Sequence, residues 1–236
     1  MGRGFRRSWA RALTGLLLLV YLPVTCAVGP PGVAAAGGAE LEKPLLYLQM
    51  GLPELALHEL EKASAAGGAE AEILVLRGLL LEALGRPERA VETFTAAEQA
   101  VSSGSAVLSR PAIKAFLGRA AADRGRVDEA VELYREALSA DPSLGLARVG
   151  LAEGLSRLGR TEEAIAEYER FLEDNPDDPE ALAAVGQLYL VTGRAAEARR
   201  ALEMAVRLNP GLTEAAEALR RLKEGGGSAR PLKGNG

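Results

Sequence analysis

Along most of the chain apolar residues recur every three or four positions, the spacing that gathers them on one face of a helix. They come as paired stretches. In the clearest pair, 180–192 and 195–208, each stretch has an apolar stripe backed by charge, and the two meet at Gly193. The pattern has a period of 34 residues, marked by Gly125, Gly159 and Gly193, by Ala130, Ala164 and Ala198, and by Pro142, Pro176 and Pro210. Gly85 with Ala90, and Gly51 with Ala56, extend the series backward across a six-residue insertion. Self-similarity at such a period is the signature of stacked supersecondary units. It predicts five helix pairs, over 37–70, 71–104, 111–144, 145–178 and 179–212.

The punctuation has a mechanism. The glycine after each first helix is expected to take the left-handed conformation that closes a helix C-terminus. Asp141-Pro142, Asn175-Pro176 and Asn209-Pro210 stop the second helices, because the residue before a proline avoids the helical region. Small residues at the eighth position of a unit (Gly118, Ala152, Gly186) and the twentieth (Ala130, Ala164, Ala198) mark where two backbones approach. A larger side chain there would overpack the pair by about 1–3 kcal/mol.

The flanks differ from the repeats. Leu212, Ala216, Leu219 and Leu222 make one stripe over 213–224, with Thr213 able to cap its start, so a final helix covers the last unit. Residues 225–236 form a glycine-rich tail, 28–36 a Pro/Gly/Ala linker, and 102–110 a longer turn or helix extension. The first 27 residues carry Arg3, Arg6, Arg7 and Arg11, then an apolar run densest at 16–22, then Pro23 and small residues through Ala27. That order reads as a signal peptide cleaved near Ala27. The uncharged stretch 12–28 equally reads as an N-terminal membrane anchor. Either way the protein is expected in an exported compartment: periplasmic, secreted, or membrane-anchored and facing outward. Pro23, Val24 and Thr25 are a poor lipidation signal ahead of Cys26, Arg6-Arg7 gives only a weak twin-arginine signal, and Arg6 stands where myristoylation wants Ser or Thr.

Composition then narrows the chemistry. The hydrophobic share is 48% but the aromatic share only 4%, so the apolar content is mostly Ala and Leu, which favours an all-α fold. A net charge of −4 argues against nucleic acid as a partner. A single Cys and a single His cannot build a zinc site, a disulfide framework or a Cys–His catalytic pair with ligands to spare. His58 reads as a surface histidine. No glycine-rich phosphate loop joins a strand to a helix. The reading is of a protein without catalytic residues, cofactor or metal site.

The chain resembles the tetratricopeptide repeat family. That family's pattern has large apolar residues at positions 4, 7, 11 and 24, small ones at 8, 20 and 27, and proline at 32. Unit 179–212 fits with Leu182, Val185, Gly186, Tyr189, Ala198, Leu202, Ala205 and Pro210. Unit 111–144 fits with Leu117, Gly118, Ala130, Tyr134, Ala137 and Pro142 but has Lys114 at position 4; unit 145–178 has Arg148 there and Phe171 at position 27. Unit 71–104 has Leu74, Gly78, Leu81, Ala90, Phe94 and Ala97 but no closing proline. Unit 37–70 is degenerate, with Pro44 at position 8, which shortens its first helix to begin near that proline.

The resemblance implies a right-handed superhelical stack of antiparallel helix pairs with a C-terminal capping helix. It also implies that the first helix of each unit lines a concave groove. The inward positions give Val75, Leu79, Arg119, Asp123, Val149, Glu153, Arg157, Gln187 and Leu190. Such a groove, charged at its centre and apolar at its ends, suits a peptide or partner protein. Arg119/Asp123 and Glu153/Arg157 are equally i,i+4 pairs of an exposed face, worth only about 0.2–0.5 kcal/mol each. The carboxylate clamp of chaperone-binding relatives is not expected, since Asn175, Asn209 and Asn235 all lie off the inward faces. The leading reading is a protein-interaction scaffold in the cell envelope or exported compartment, with membrane association through the N-terminus. The alternative is a structural component that self-associates through Pro44, Leu45, Leu46, Leu48 and Leu52, its oligomeric state open.

Overall fold

The computed structural model describes residues 38–65, 70–101 and 109–224. The leader at 1–27, the linker at 28–36, most of the insertion at 102–110 and the tail at 225–236 lie outside them. Eleven helices and no strand appear among the described residues. They are α1 (Gly38–Gln49), α2 (Pro53–Ala65), α3 (Glu70–Ala83), α4 (Pro87–Ala100), α5 (Arg110–Asp123), α6 (Val127–Ala140), α7 (Gly145–Arg157), α8 (Thr161–Asp174), α9 (Pro179–Val191), α10 (Ala195–Leu208) and α11 (Thr213–Glu224). The chain divides within α5 into two compact parts, Met1–Phe116 and Leu117–Gly236.

Each first helix closes in the way the glycines foretell. Gly51, Gly85, Gly125, Gly159 and Gly193 have φ between 71° and 78° and are the only described residues with positive φ. At Gly85 the amide donates to the Glu82 carbonyl at 2.8 Å, and the Arg86 amide donates to the Leu81 carbonyl at 2.8 Å. This is the Schellman pair of bonds, which satisfies carbonyls the helix itself leaves free. The same two bonds recur at the other four glycines. In four of the five, the residue after glycine (Arg86, Arg126, Arg160, Arg194) is itself the N-cap of the next helix. The second helices end as expected, with Asp141, Asn175 and Asn209 at φ near −130° to −140°, outside the helical region.

In the N-terminal part α1 packs on α2, α2 on α3, and α3 on α4. Phe94, fully buried, lies against the backbone of Gly78, where an added Cβ would fall 2.4 Å from the ring. It also stacks on Phe116 with centroids 5.6 Å apart. One sequence expectation fails here. α1 does not begin near Pro44 but runs from Gly38 through it. A proline inside a helix forfeits one backbone hydrogen bond; the Pro44 ring is among the most deeply buried side chains, and its packing offsets that loss.

In the C-terminal part α6 through α11 pack consecutively, and α11 also touches α9. Tyr134 fills the gap between two helices, with Gly118 and Gly150 each presenting bare backbone to its ring. Phe171 replaces the usual small residue in α8 and is accommodated because Gly145 has no side chain; a Cβ there would meet the ring at 3.0 Å. Arg148, at a position that is normally apolar, donates to Glu167 at 3.1 Å and to the Pro142 carbonyl. Both side chains of that ion pair are at least four-fifths buried. At the C-terminal end α11 lays Ala215 and Leu219 onto Ala183, Leu202 and Ala205, with Leu212 and Leu222 at the margin.

Candidate functional site

The nine predicted groove residues separate by part. Val75 and Leu79 belong to the N-terminal part and are 5% and 6% exposed. They are core residues, not members of an open wall, which corrects their sequence assignment. The reason is local. α3 is apolar almost all round, with Ile73, Leu74, Val75, Leu76, Leu79, Leu80 and Leu81 buried together, and a helix apolar on every side goes inside.

The other seven lie in the C-terminal part. Asp123, Glu153 and Arg157 are exposed, while Arg119, Val149, Gln187 and Leu190 are partly buried. α5 and α7 bring four charges together. The Arg157 guanidinium donates to the Ala122 carbonyl at 3.0 Å, reaching from one helix to the C-terminal turn of the other. A cation on a helix's last carbonyls complements both a free acceptor and the helix dipole. Arg157 therefore has a structural task that its sequence position does not reveal. Leu190 is likewise half committed, packed at the edge of the cluster around Leu202.

The carboxylates respond to this surface. Desolvation raises the Asp123 carboxyl above its ordinary range, with Arg119 and Arg157 opposing the shift. Desolvation also raises Glu153; Arg157 and Arg119 oppose it and the Asp123 charge adds to it. Water reaches both side chains, yet desolvation remains the largest influence on each. Groups set against a protein wall behave in this way, whereas groups on a protruding face do not. Arg119 and Arg157 thus offset only part of what the two acids lose in hydration.

Beyond the charges, α9 presents Gln187, Leu190 and Val191. Val191 is 73% exposed, the most open of the large apolar side chains among the described residues. Its helical spacing from Gln187 places it on the same side of α9. Tyr189, on a different side of α9, donates to Glu169 at 2.6 Å, and burial with that carboxylate pushes its hydroxyl up to about 12. His58 is exposed, as expected. No group of three or more His, Cys, Asp or Glu with metal-binding geometry occurs among the described residues.

The comparisons with known proteins come to this. Two sequence profiles described as tetratricopeptide repeat match residues 121–188 and 155–222, and residues 45–105 and 95–144. No curated protein matches. Among solved structures, MamA is 18% identical with a TM-score of 0.59, covering 72% of this chain and 96% of its own. YrrB, described as a TPR protein with an unusual peptide-binding site, is 18% identical with a TM-score of 0.57, covering 77% and 90%. A thermophilic TPR protein of Thermus thermophilus is 18% identical with a TM-score of 0.61, covering 79% and 98%. At these identities the likeness is one of fold.

Proposed function

Because the chain belongs to the tetratricopeptide repeat family, we propose that it is a non-catalytic scaffold that holds an extended or helical peptide segment of a partner protein. The surface assigned to this task is the side of the C-terminal part that carries Arg119, Asp123 and Glu153, with Gln187 and Val191 on α9. One observation carries the reading. Incompletely compensated carboxylates and a 73% exposed valine occupy the first helices of successive pairs, on a fold otherwise well packed. Exposed apolar side chains give contact area and the charges give register and selectivity. The peptide-binding site named for YrrB, a structure of similar fold, supports the same class of ligand. The arginine-rich, apolar N-terminus supports a location in the cell envelope or beyond it.

The test is selection from a displayed random-peptide library on the full chain, followed by affinity measurement. Selected peptides should lose at least about tenfold in affinity, roughly 1.4 kcal/mol, on Glu153→Lys or Val191→Asp. Arg200→Glu, on the exposed side of α10, should leave binding unchanged. Arg157 is a poor choice of variant, since its loss also uncaps α5. Peptides that bind equally well to all three variants would overturn the assignment of this surface.

A further inference from the structure

The α1–α2 turn carries the largest exposed apolar group among the described residues. Leu46 is 54% exposed, Met50 60%, Leu52 38% and Leu55 46%. Sequence reasoning treated the apolar residues here as one cluster, but the structure divides them: Pro44 is buried, Leu45 and Leu48 are partly buried, and Leu46 and Leu52 point outward. Lys43, Leu46 and Met50 lie three and seven residues apart on one side of α1, and Leu55, His58 and Lys62 have the same spacing on α2. The two helices are antiparallel, so the apolar ends meet at the turn and the basic ends lie together away from it. Lys43, His58 and Lys62 all act on the Glu59 carboxylate, which accepts from Lys62 at 2.7 Å. Glu54, beside the apolar tip, is paired with Arg86 at 2.8 Å. An apolar tip with lysines set back along its stem matches the layering of a bilayer surface, where long cationic side chains reach back to the headgroups.

The chain outside the described residues supplies the second argument. No charged residue occurs from Ala12 to Ala39, so an uncharged stretch that includes the apolar run leads directly into α1. Between that run and α1 stand residues 29–37, which span at most about 30 Å when extended. α1 itself is about 18 Å long. A run seated in a bilayer therefore keeps the α1–α2 turn close to the headgroups, where the high effective concentration lets a small patch engage. We propose that the α1–α2 turn docks on the membrane surface, with Leu46, Met50, Leu52 and Leu55 entering the boundary between headgroups and acyl chains. This does not depend on the peptide-binding reading, which concerns the other part of the chain.

The experiment uses the full chain, with Cys26→Ser and one new cysteine carrying an environment-sensitive fluorophore, reconstituted into vesicles of phosphatidylcholine and phosphatidylglycerol. Labels at Met50→Cys and, separately, Leu46→Cys should be quenched several-fold more by lipid-borne quenchers than a label at Arg200→Cys, and less by aqueous iodide. Adding Leu52→Glu and Leu55→Glu should remove that difference. Equal lipid-borne quenching at 50, 46 and 200 would overturn the proposal. So would a fluorescence shift that rises with protein density and ignores the lipid-borne quencher, because the occupant would then be a second copy of the chain.

Discussion

The first helix pair and the last face the same physical problem. A terminal pair has one apolar face with no further repeat to cover it. At the C-terminal end the chain adds α11, which buries Ala215 and Leu219 against Ala183, Leu202 and Ala205 and turns its arginines, lysine and glutamates outward. At the other end α1 and α2 leave Leu46, Met50, Leu52 and Leu55 open among the described residues. One end is closed by a dedicated helix, and the other keeps an apolar surface for something else to use. The eighth position of each pair shows the same divergence. The last pair has Gly186 there, pressed against Leu202, and the first has Pro44, buried within its own helix.

Substitutions can separate the two ends. Placing a charge under the cap, Leu219→Asp, should cost about 3–4 kcal/mol in urea unfolding, since it buries an unpaired carboxylate. The matched change Met50→Asp should stay within about 0.5 kcal/mol, because that side chain has no core to disturb. Equal losses would mean that both ends are closed alike. Gly186→Leu comes next in size. Even a Cβ there would lie 2.8 Å from Leu202, so a loss of about 2–3 kcal/mol is expected from the same measurement. Pro44→Ala should act in the opposite direction. It restores one helical hydrogen bond and relieves the ring's clash while giving up buried surface, and the expected net is a gain of about 1 kcal/mol.

The smallest effect concerns the charged surface that neither end possesses. Asp123 and Glu153 hold their protons more tightly in the fold than in the unfolded chain. The stability linked to each is therefore fully present below its unfolded pKa and is lost as pH rises through the raised value. Glu153→Gln should be the more stable protein at neutral pH, by less than about 1 kcal/mol because solvent reaches both groups. The difference should vanish in acid, below the carboxylate range. An advantage that persists there would point to a packing effect instead.

Much of this was legible in the sequence because it is local or periodic. The glycines at 34-residue spacing close the first helices, the X-Pro pairs stop the second, and the apolar stripe over 213–224 becomes the capping helix. What escaped depends on which residue meets which across helices. Phe171 is tolerated only because Gly145 faces it, and Arg148 only because Glu167 does. Pro44 broke a local rule that packing overrode. Val75 and Leu79 were misassigned because a family position was carried over to a helix with no polar face, a signal that was present in the residues 73–81 themselves. Arg157 looked free for a partner until its bond to the Ala122 carbonyl placed it at the end of α5.

The turns inside the pairs have a consequence for how such a chain can grow. At four of them one arginine both completes the closure of the helix behind it and opens the helix ahead, so the connection has no spare residue. An insertion at that point would break two closures at once. Length can therefore change only by whole modules or at the seams between them. The one departure from the regular spacing follows this rule: from Gly85 to Gly125 the interval is six residues longer, and the excess falls after α4 and before α5.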